Sequence, residues 1–276
     1  MFIILKIVDS PKGLFAKAKQ KRLLCASCAQ SFQTQKGLPF HMLEIPGELS
    51  YAGWETVEEK CGRYSSRIIA PRSLTLPDCG KLRRFIPVSM PFLLTFNTAK
   101  SVLEKARLPH GDFTVTVTDR NGSRAADISG ILPFASAVRV ITSRPDRYAE
   151  TREKAMSDYG ASLMIRPSYE PLTKPDIVIC CDGIIPSEAA EAAVFSHKPT
   201  QSGKLNFRCN GLSLSDSHKS IVPENIDSVD FAGAITELCG SPEYRNSRYE
   251  NVVSDCSACK NTLPSECLRC YVSGKL

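Results

Sequence analysis

Asp112-Phe-Thr-Val-Thr-Val-Thr-Asp-Arg-Asn-Gly122 is the stretch on which the reading of this chain turns. Phe113 to Thr118 is a β-branched run suited to a pleated, buried strand, and it stops abruptly at Asp119-Arg-Asn-Gly122, whose residues are those that turns require. Downstream, Val138-Arg-Val-Ile-Thr142, Ala161-Ser-Leu-Met-Ile165 and Asp176-Ile-Val-Ile-Cys-Cys181 read as three further strands. Residues 147–159 between them form a polar-faced helix closed by Gly160 at the cap position. Upstream, residues 91–107 carry Leu94, Ala99, Val102, Leu103 and Ala106 at near-helical spacing, with Pro91 tolerated in the first turn. Strands alternating with helices of this length predict right-handed crossovers and an α/β fold, a Rossmann-like, mostly parallel sheet with flanking helices.

Further out, residues 52–64 read as a short helix and 66–70 as a strand that Pro71 stops. Residues 85–88 read as a brief extended piece. Residues 192–195 and 204–207 read as edge strands, and residues 229–239 as a helix with Phe231, Ile235 and Leu238 on one face, ended by Gly240. The polar, turn-rich residues 241–255 mark a boundary, after which comes a small C-terminal cysteine module. The expected organisation is a basic N-terminal segment (1–40), a Rossmann-like α/β domain (41–240) and a cysteine-rich, metal-binding module (241–276).

The 276 residues suffice for a large hydrophobic core, and 42% hydrophobic with 23% charged residues excludes a wholly disordered or fibrous chain. The net charge of +6 is concentrated at one end. Residues 1–36 hold seven Lys or Arg and one acid, Asp9, whereas the remainder balances 28 basic against 28 acidic residues. The body therefore offers no electrostatic case for a nucleic-acid groove, and contact with nucleic acid falls to the basic segment alone. The apolar opening Met1-Phe-Ile-Ile-Leu-Lys-Ile-Val8 is too short to span a bilayer and lacks a signal-peptide pattern, and no other stretch is long enough. A cytoplasmic protein without a membrane span is expected. The charged opening segment is expected to be dispensable for folding.

Twelve cysteines in a chain of this size without an export signal point to reduced thiols or metal ligands. Cys256-Ser-Ala-Cys259 and Cys267-Leu-Arg-Cys270, seven residues apart, can supply four thiolates to one tetrahedral zinc, and a short segment with little core would gain its folding energy from that metal. An iron–sulfur cluster, a redox pair and an inert cysteine-rich tail are the alternatives. Cys25-Ala-Ser-Cys28 is a third pair, which either joins that module, forms a redox couple or lies on an amphipathic basic helix. Cys180 and Cys181 end a buried strand, where cysteine serves as a small hydrophobe or, alternatively, as a nucleophile. His41, His110, His197 and His218 form no pair with metal spacing.

Parallel α/β sheets bind ligands at the carboxyl ends of their strands. The candidate ligand-contacting residues are accordingly Asp119, Asn121, Gly122, Ser143, Arg144, Asp182 and Gly183, with Arg144 and Ser143 suited to clamp a phosphate. The same residue types also serve ordinary turns.

Residues 112–184, through Val140-Ile-Thr-Ser-Arg144, Tyr159-Gly-Ala161 and Asp176-Ile-Val-Ile179, resemble the NAD(P)-binding domain of shikimate dehydrogenases and glutamyl-tRNA reductases. The resemblance implies that Ser143 and Arg144 meet the adenosine ribose or its phosphate. The chain departs from that family at the first turn, where Asp119-Arg-Asn-Gly-Ser-Arg124 has one glycine in place of three. The strand ending in Asp119-Arg-Asn-Gly-Ser123 is also similar to haloacid-dehalogenase-like phosphotransferases, which would make Asp119 a nucleophile, although Asn121 stands where their phosphatases carry a second Asp. Two functions follow as expectations: a Rossmann-like protein binding a nucleotide or phosphorylated small molecule at the strand tips, or a non-enzymatic, zinc-stabilised interaction protein on a degenerate α/β scaffold.

Overall fold

A computed structural model describes residues 1–9, 40–78, 80–109, 111–135, 137–171, 174, 176–200 and 203–276. In chain order the elements are β1 (Phe2–Val8), β2 (Phe40–Pro46), α1 (Tyr51–Cys61), β3 (Ile68–Ile69), α2 (Ser89–Ala106), β4 (Thr114–Thr118), α3 (Ala125–Ile128), β5 (Ala137–Ile141), α4 (Ala149–Tyr159), β6 (Ser162–Arg166), β7 (Asp176–Cys180), β8 (Ala193–Ser196), β9 (Leu205–Asn210), α5 (Asp216–Lys219), α6 (Ser228–Gly233), β10 (Asn251–Ser254) and α7 (Pro264–Val272). They form two compact units, Met1–Met90 with Ser213–Arg245, and Pro91–Leu212 with Asn246–Leu276. This division differs from the expected breaks near residues 40 and 240. The segment 213–245 belongs with the first 90 residues, and the cysteine-bearing segment belongs with the large sheet.

Unit 1 is built on a parallel sheet in the order β2-β1-β3. β1 is its middle strand, and the apolar run Phe2 to Leu5 is what a strand buried on both faces requires, with Lys6 pairing to Glu44 beyond it. On one face Ile3 and Leu5 pack with Leu43, Ile45, Val57, Ile68 and Leu82. On the other, the Phe2 ring stacks on Phe40 at 5.4 Å and meets Phe231 edge-on at 5.9 Å. The opening segment is thus not a dispensable tail, because its first eight residues are the centre of this core. Lys12 to Lys36, with Cys25 and Cys28, lie outside the described residues.

Unit 2 carries a seven-stranded sheet in the order β10-β9-β8-β7-β4-β5-β6, parallel except for β10 against β9. Numbered from β4, the six parallel strands lie in the order 3-2-1-4-5-6, the doubly wound arrangement of the Rossmann fold. Strand alternation and register give the sheet two unlike faces. Val115, Val117, Val138, Val140, Ile177, Ile179, Phe195 and Phe207 share one face and are fully buried. Thr114, Thr116, Thr118, Arg139, Asp176, Ser196, Asn206 and Arg208 share the other. The connections after β4 and β5 carry α3 and α4, but those after β6, β7 and β8 carry no α-helix among the described residues. Instead Tyr169, Ile185, Ala189 and Ala192 fold over Val178, Cys180 and Val194 on the polar face.

That face is organised by a buried ion pair. Arg139 and Asp176 are 2% and 4% exposed, and the guanidinium meets the carboxylate directly. Arg139 Nε donates to Thr116 Oγ1 at 3.0 Å, and Thr116 in turn donates to Asp176 Oδ1 at 2.8 Å. The crossing loop is tied in as well, since Tyr169 OH donates to Asp176 Oδ2 at 2.9 Å, its ring lies 4.5 Å beneath the guanidinium, and Arg139 also donates to Glu170 O. Burial pushes the Asp176 carboxyl above its ordinary range, against the opposing pull of Arg139 and the two hydroxyls.

Two outcomes follow from this packing. Ile4→Ala should cost about 2–5 kcal/mol in urea denaturation, and a chain starting at Gly37 should fail to melt cooperatively. Arg139→Met should destabilise unit 2 by about 3–5 kcal/mol through the charge it strands, and adding Asp176→Leu should recover much of that loss.

Candidate functional site

The parallel register brings the tips of β4, β5 and β7 to one edge of the sheet, so Asp119, Asn121, Gly122, Ser143, Arg144, Asp182 and Gly183 lie along it. Hydrogen bonds join the tips to one another. The Ser143 N–H and Oγ–H both donate to Arg120 O, at 3.0 and 2.7 Å, and Thr118 Oγ1 donates to Asp182 Oδ1 at 2.8 Å.

The centre of this edge is Asp119, and it faces inward. Only 3% exposed, it accepts from the Ser123 N–H at 3.2 Å and the Arg124 N–H at 3.0 Å, and from Tyr148 OH at 2.6 Å. Burial and the Asp119 carboxylate push the Tyr148 phenol far above its ordinary value, so it stays protonated and donates. A carboxylate engaged in this way is not presented to a phosphoryl group, which removes the geometry that a nucleophilic Asp119 needs. The amides that it holds are those of the turn opening α3, the place where a dinucleotide pyrophosphate would seek N–H donors. Gly122 closes the turn at φ +61° with its N–H on Asp119 O, and a Cβ there would come within 3.1 Å of Arg144 Cβ. Asn121 is exposed.

Arg144 is exposed, but its guanidinium makes a two-pronged pair with Asp146, Nε to Oδ1 at 3.1 Å and Nη2 to Oδ2 at 3.0 Å. That hydrogen bond holds Asp146 below the usual carboxylate range. Asp182 is occupied by Thr118 and by the Ile184 N–H at 3.0 Å, and Gly183, at φ +73°, leaves room for the Lys198 amine that lies over it. Lys198 and its neighbour His197 extend this edge at the tip of β8. Thr95 donates to Pro91 O at 2.8 Å and faces His197 Nδ1 at 3.5 Å. Burial, and then Lys198, lower the His197 pKa and keep the ring neutral. Nothing in the sequence singles either residue out, since His197 has no partner at metal-ligand spacing. Cys181 is fully buried with its pKa well raised, and Cys180 is pushed up to about 12, first by burial, so both remain thiols rather than nucleophiles.

The C-terminal cysteines sit in a turn and a helix packed into unit 2. Cys256 precedes a tight turn ending at buried Cys259, and the Cys267 thiol, at the start of α7, lies 3.8 Å from both Cys259 O and Thr262 O. Burial, then the neighbouring Cys267 and Cys256 thiols, push Cys259 up to about 12. Cys270 stands one helical turn beyond Cys267. Among the described residues no three His, Cys, Asp or Glu side chains are grouped to hold a metal ion. The segment is anchored on unit 2: Cys267 and Leu268 are fully buried, and Tyr271 OH donates to Glu191 O at 2.7 Å and to Asp176 O at 3.2 Å.

No helix among the described residues is long and apolar enough to cross a membrane. No protein-family model and no curated protein matches the chain. A solved structure to which it is similar is that of L-tryptophan dehydrogenase from Nostoc punctiforme, at 16% sequence identity and a TM-score of 0.34, over 89% of this chain and 76% of that one, a similarity too slight to assign a family or an activity.

Proposed function

We propose that unit 2 is a Rossmann-like scaffold that works without a dinucleotide, as a non-enzymatic interaction protein rather than an NAD(P)-dependent enzyme. The observation that carries this reading is the Asp119 carboxylate bound to the Ser123 and Arg124 amides. A pyrophosphate placed at that turn would have to displace a buried carboxylate from two amides and a phenol, and would meet its negative charge. Of the two phosphate-clamp candidates, Arg144 pairs its guanidinium with Asp146 and Ser143 donates its hydroxyl to Arg120 O. The C-terminal cysteine segment belongs to the same scaffold, and we propose that apolar burial and the Tyr271 hydrogen bonds, rather than a bound metal, hold it there.

Three measurements test this. The melting temperature should stay unchanged with NAD+, NADP+ or ATP at about 5 mM, and a rise of about 2 °C or more with any of them overturns the reading. Asp119→Ala should lower stability by about 1–3 kcal/mol, because it leaves two amides and a phenol unpaired, whereas a ligand-facing Asp119 would leave stability nearly intact. Unfolding under reducing conditions should be insensitive to a metal chelator. A fall of about 5 °C or more, abolished by the Cys259→Ser and Cys267→Ser double change, would restore zinc as the stabiliser.

A further inference from the structure

β9 is an interior strand, flanked by β8 and β10, yet among the described residues only one of its faces is fully covered. Leu205, Phe207 and Cys209 are buried, while Arg208 and Asn210 are exposed. Strands inside a mostly parallel sheet are ordinarily covered on both faces, by the helices of their crossovers. Here the connection from β8 carries no α-helix among the described residues, and a cavity of about 520 Å³ opens over Asn206 and Arg208, walled by Pro199, Thr200 and Asp255. That volume is within the range of small-molecule sites.

The cavity holds two opposite charges that are not paired with each other. Arg208 makes no side-chain hydrogen bond or ion pair with any described residue. Asp255 is fixed in orientation but not neutralised, because its Oδ1 accepts the Asn206 N–H at 2.9 Å and its Oδ2 accepts Asn206 Nδ2 at 2.8 Å. Asn206, only 5% exposed, is itself locked by two hydrogen bonds with Gly203, at 2.9 and 3.1 Å. A purely anionic ligand for Arg208 would be repelled by Asp255, and a purely cationic ligand for Asp255 by Arg208. A molecule carrying both charges satisfies both walls. Apolar surface adjoins them, since Pro199 lines the cavity and Val253, opposite Arg208 in the β9–β10 register, is 56% exposed.

We propose that this cavity binds a small zwitterion, an α-amino acid with an apolar side chain, its carboxylate on Arg208 and its ammonium on Asp255, with Asn206 as the positioning residue that orients the Asp255 carboxylate. A guanidinium offers a carboxylate two parallel N–H donors, which gives the first contact its geometry. The site lies over β9 on the polar sheet face, so it stands or falls independently of the strand-tip question.

Calorimetric titration of the full chain with L-leucine, leucinamide and N-acetylleucine tests the assignment. L-leucine should bind with a Kd on the order of 1 mM or tighter. Leucinamide lacks the anion and N-acetylleucine lacks the cation, so each should bind about tenfold or more weakly. Arg208→Gln should weaken L-leucine by a similar factor and leave leucinamide unchanged, and Asp255→Asn should do the same with N-acetylleucine as the indifferent ligand. Equal binding of the three compounds, no heat with L-leucine, or full L-leucine affinity in Arg208→Gln each overturns the proposal. The comparison among ligands needs no variant and so does not depend on how well either substitution folds.

Discussion

A guanidinium and a carboxylate shut away from water in the middle of a sheet dictate much of what surrounds them. Neither Arg139 nor Asp176 can be left uncompensated at such burial, so Thr116, Tyr169 and the backbone at Glu170 are drawn in to complete their hydrogen bonds. The loop from β6 to β7 is thereby pinned across the β-face where a crossover helix would otherwise lie. Among the described residues the connections that follow carry no α-helix, and β9 keeps one side open.

The parallel strands of unit 2 were legible because a β-branched run bounded by turn residues has few other uses, and β4 to β9 all lie within a residue or two of their expected starts, whereas β10 falls inside the polar residues 241–255, which read as a boundary. The parallel order followed from the alternation with helices. Unit 1 was not legible in the same way. Its central strand looked like the start of a charged tail, since the lysines that follow dominate the local composition, while Phe2 finds its partners at Phe40 and Phe231, and Leu5 at Leu43 and Ile68, far along the chain. Composition reports on neighbours in sequence, whereas β1 is decided by neighbours in space.

The strand-tip residues illustrate a second limit. Asp119, Ser143, Arg144 and Asp182 were readable as polar groups at the correct edge, but whether such groups face a ligand or one another depends on side-chain geometry. In this protein they bond to neighbouring groups of the chain: Asp119 to its own turn, Ser143 to Arg120 O, Arg144 to Asp146 and Asp182 to Thr118. Arg208 is hidden in the sequence for the opposite reason. Lys204-Leu-Asn-Phe207 reads as a strand that stops one residue short of it, and only the continuation of β9 to Asn210 turns Arg208 to solvent.

The division of each unit between two separated stretches of chain also bears on how the molecule comes to be made. During synthesis the Phe2–Phe40 face of unit 1 emerges early and must wait for Phe231, on a helix that follows the whole of Pro91–Leu212. At about 5–20 residues per second that wait lasts several seconds or more, with aromatic surface uncovered. Unit 2 likewise stays open at one edge until β10 and α7 arrive, the latter bringing Tyr271 to the backbone of Asp176 and Glu191. Long-range closure of this kind makes folding slow relative to local collapse.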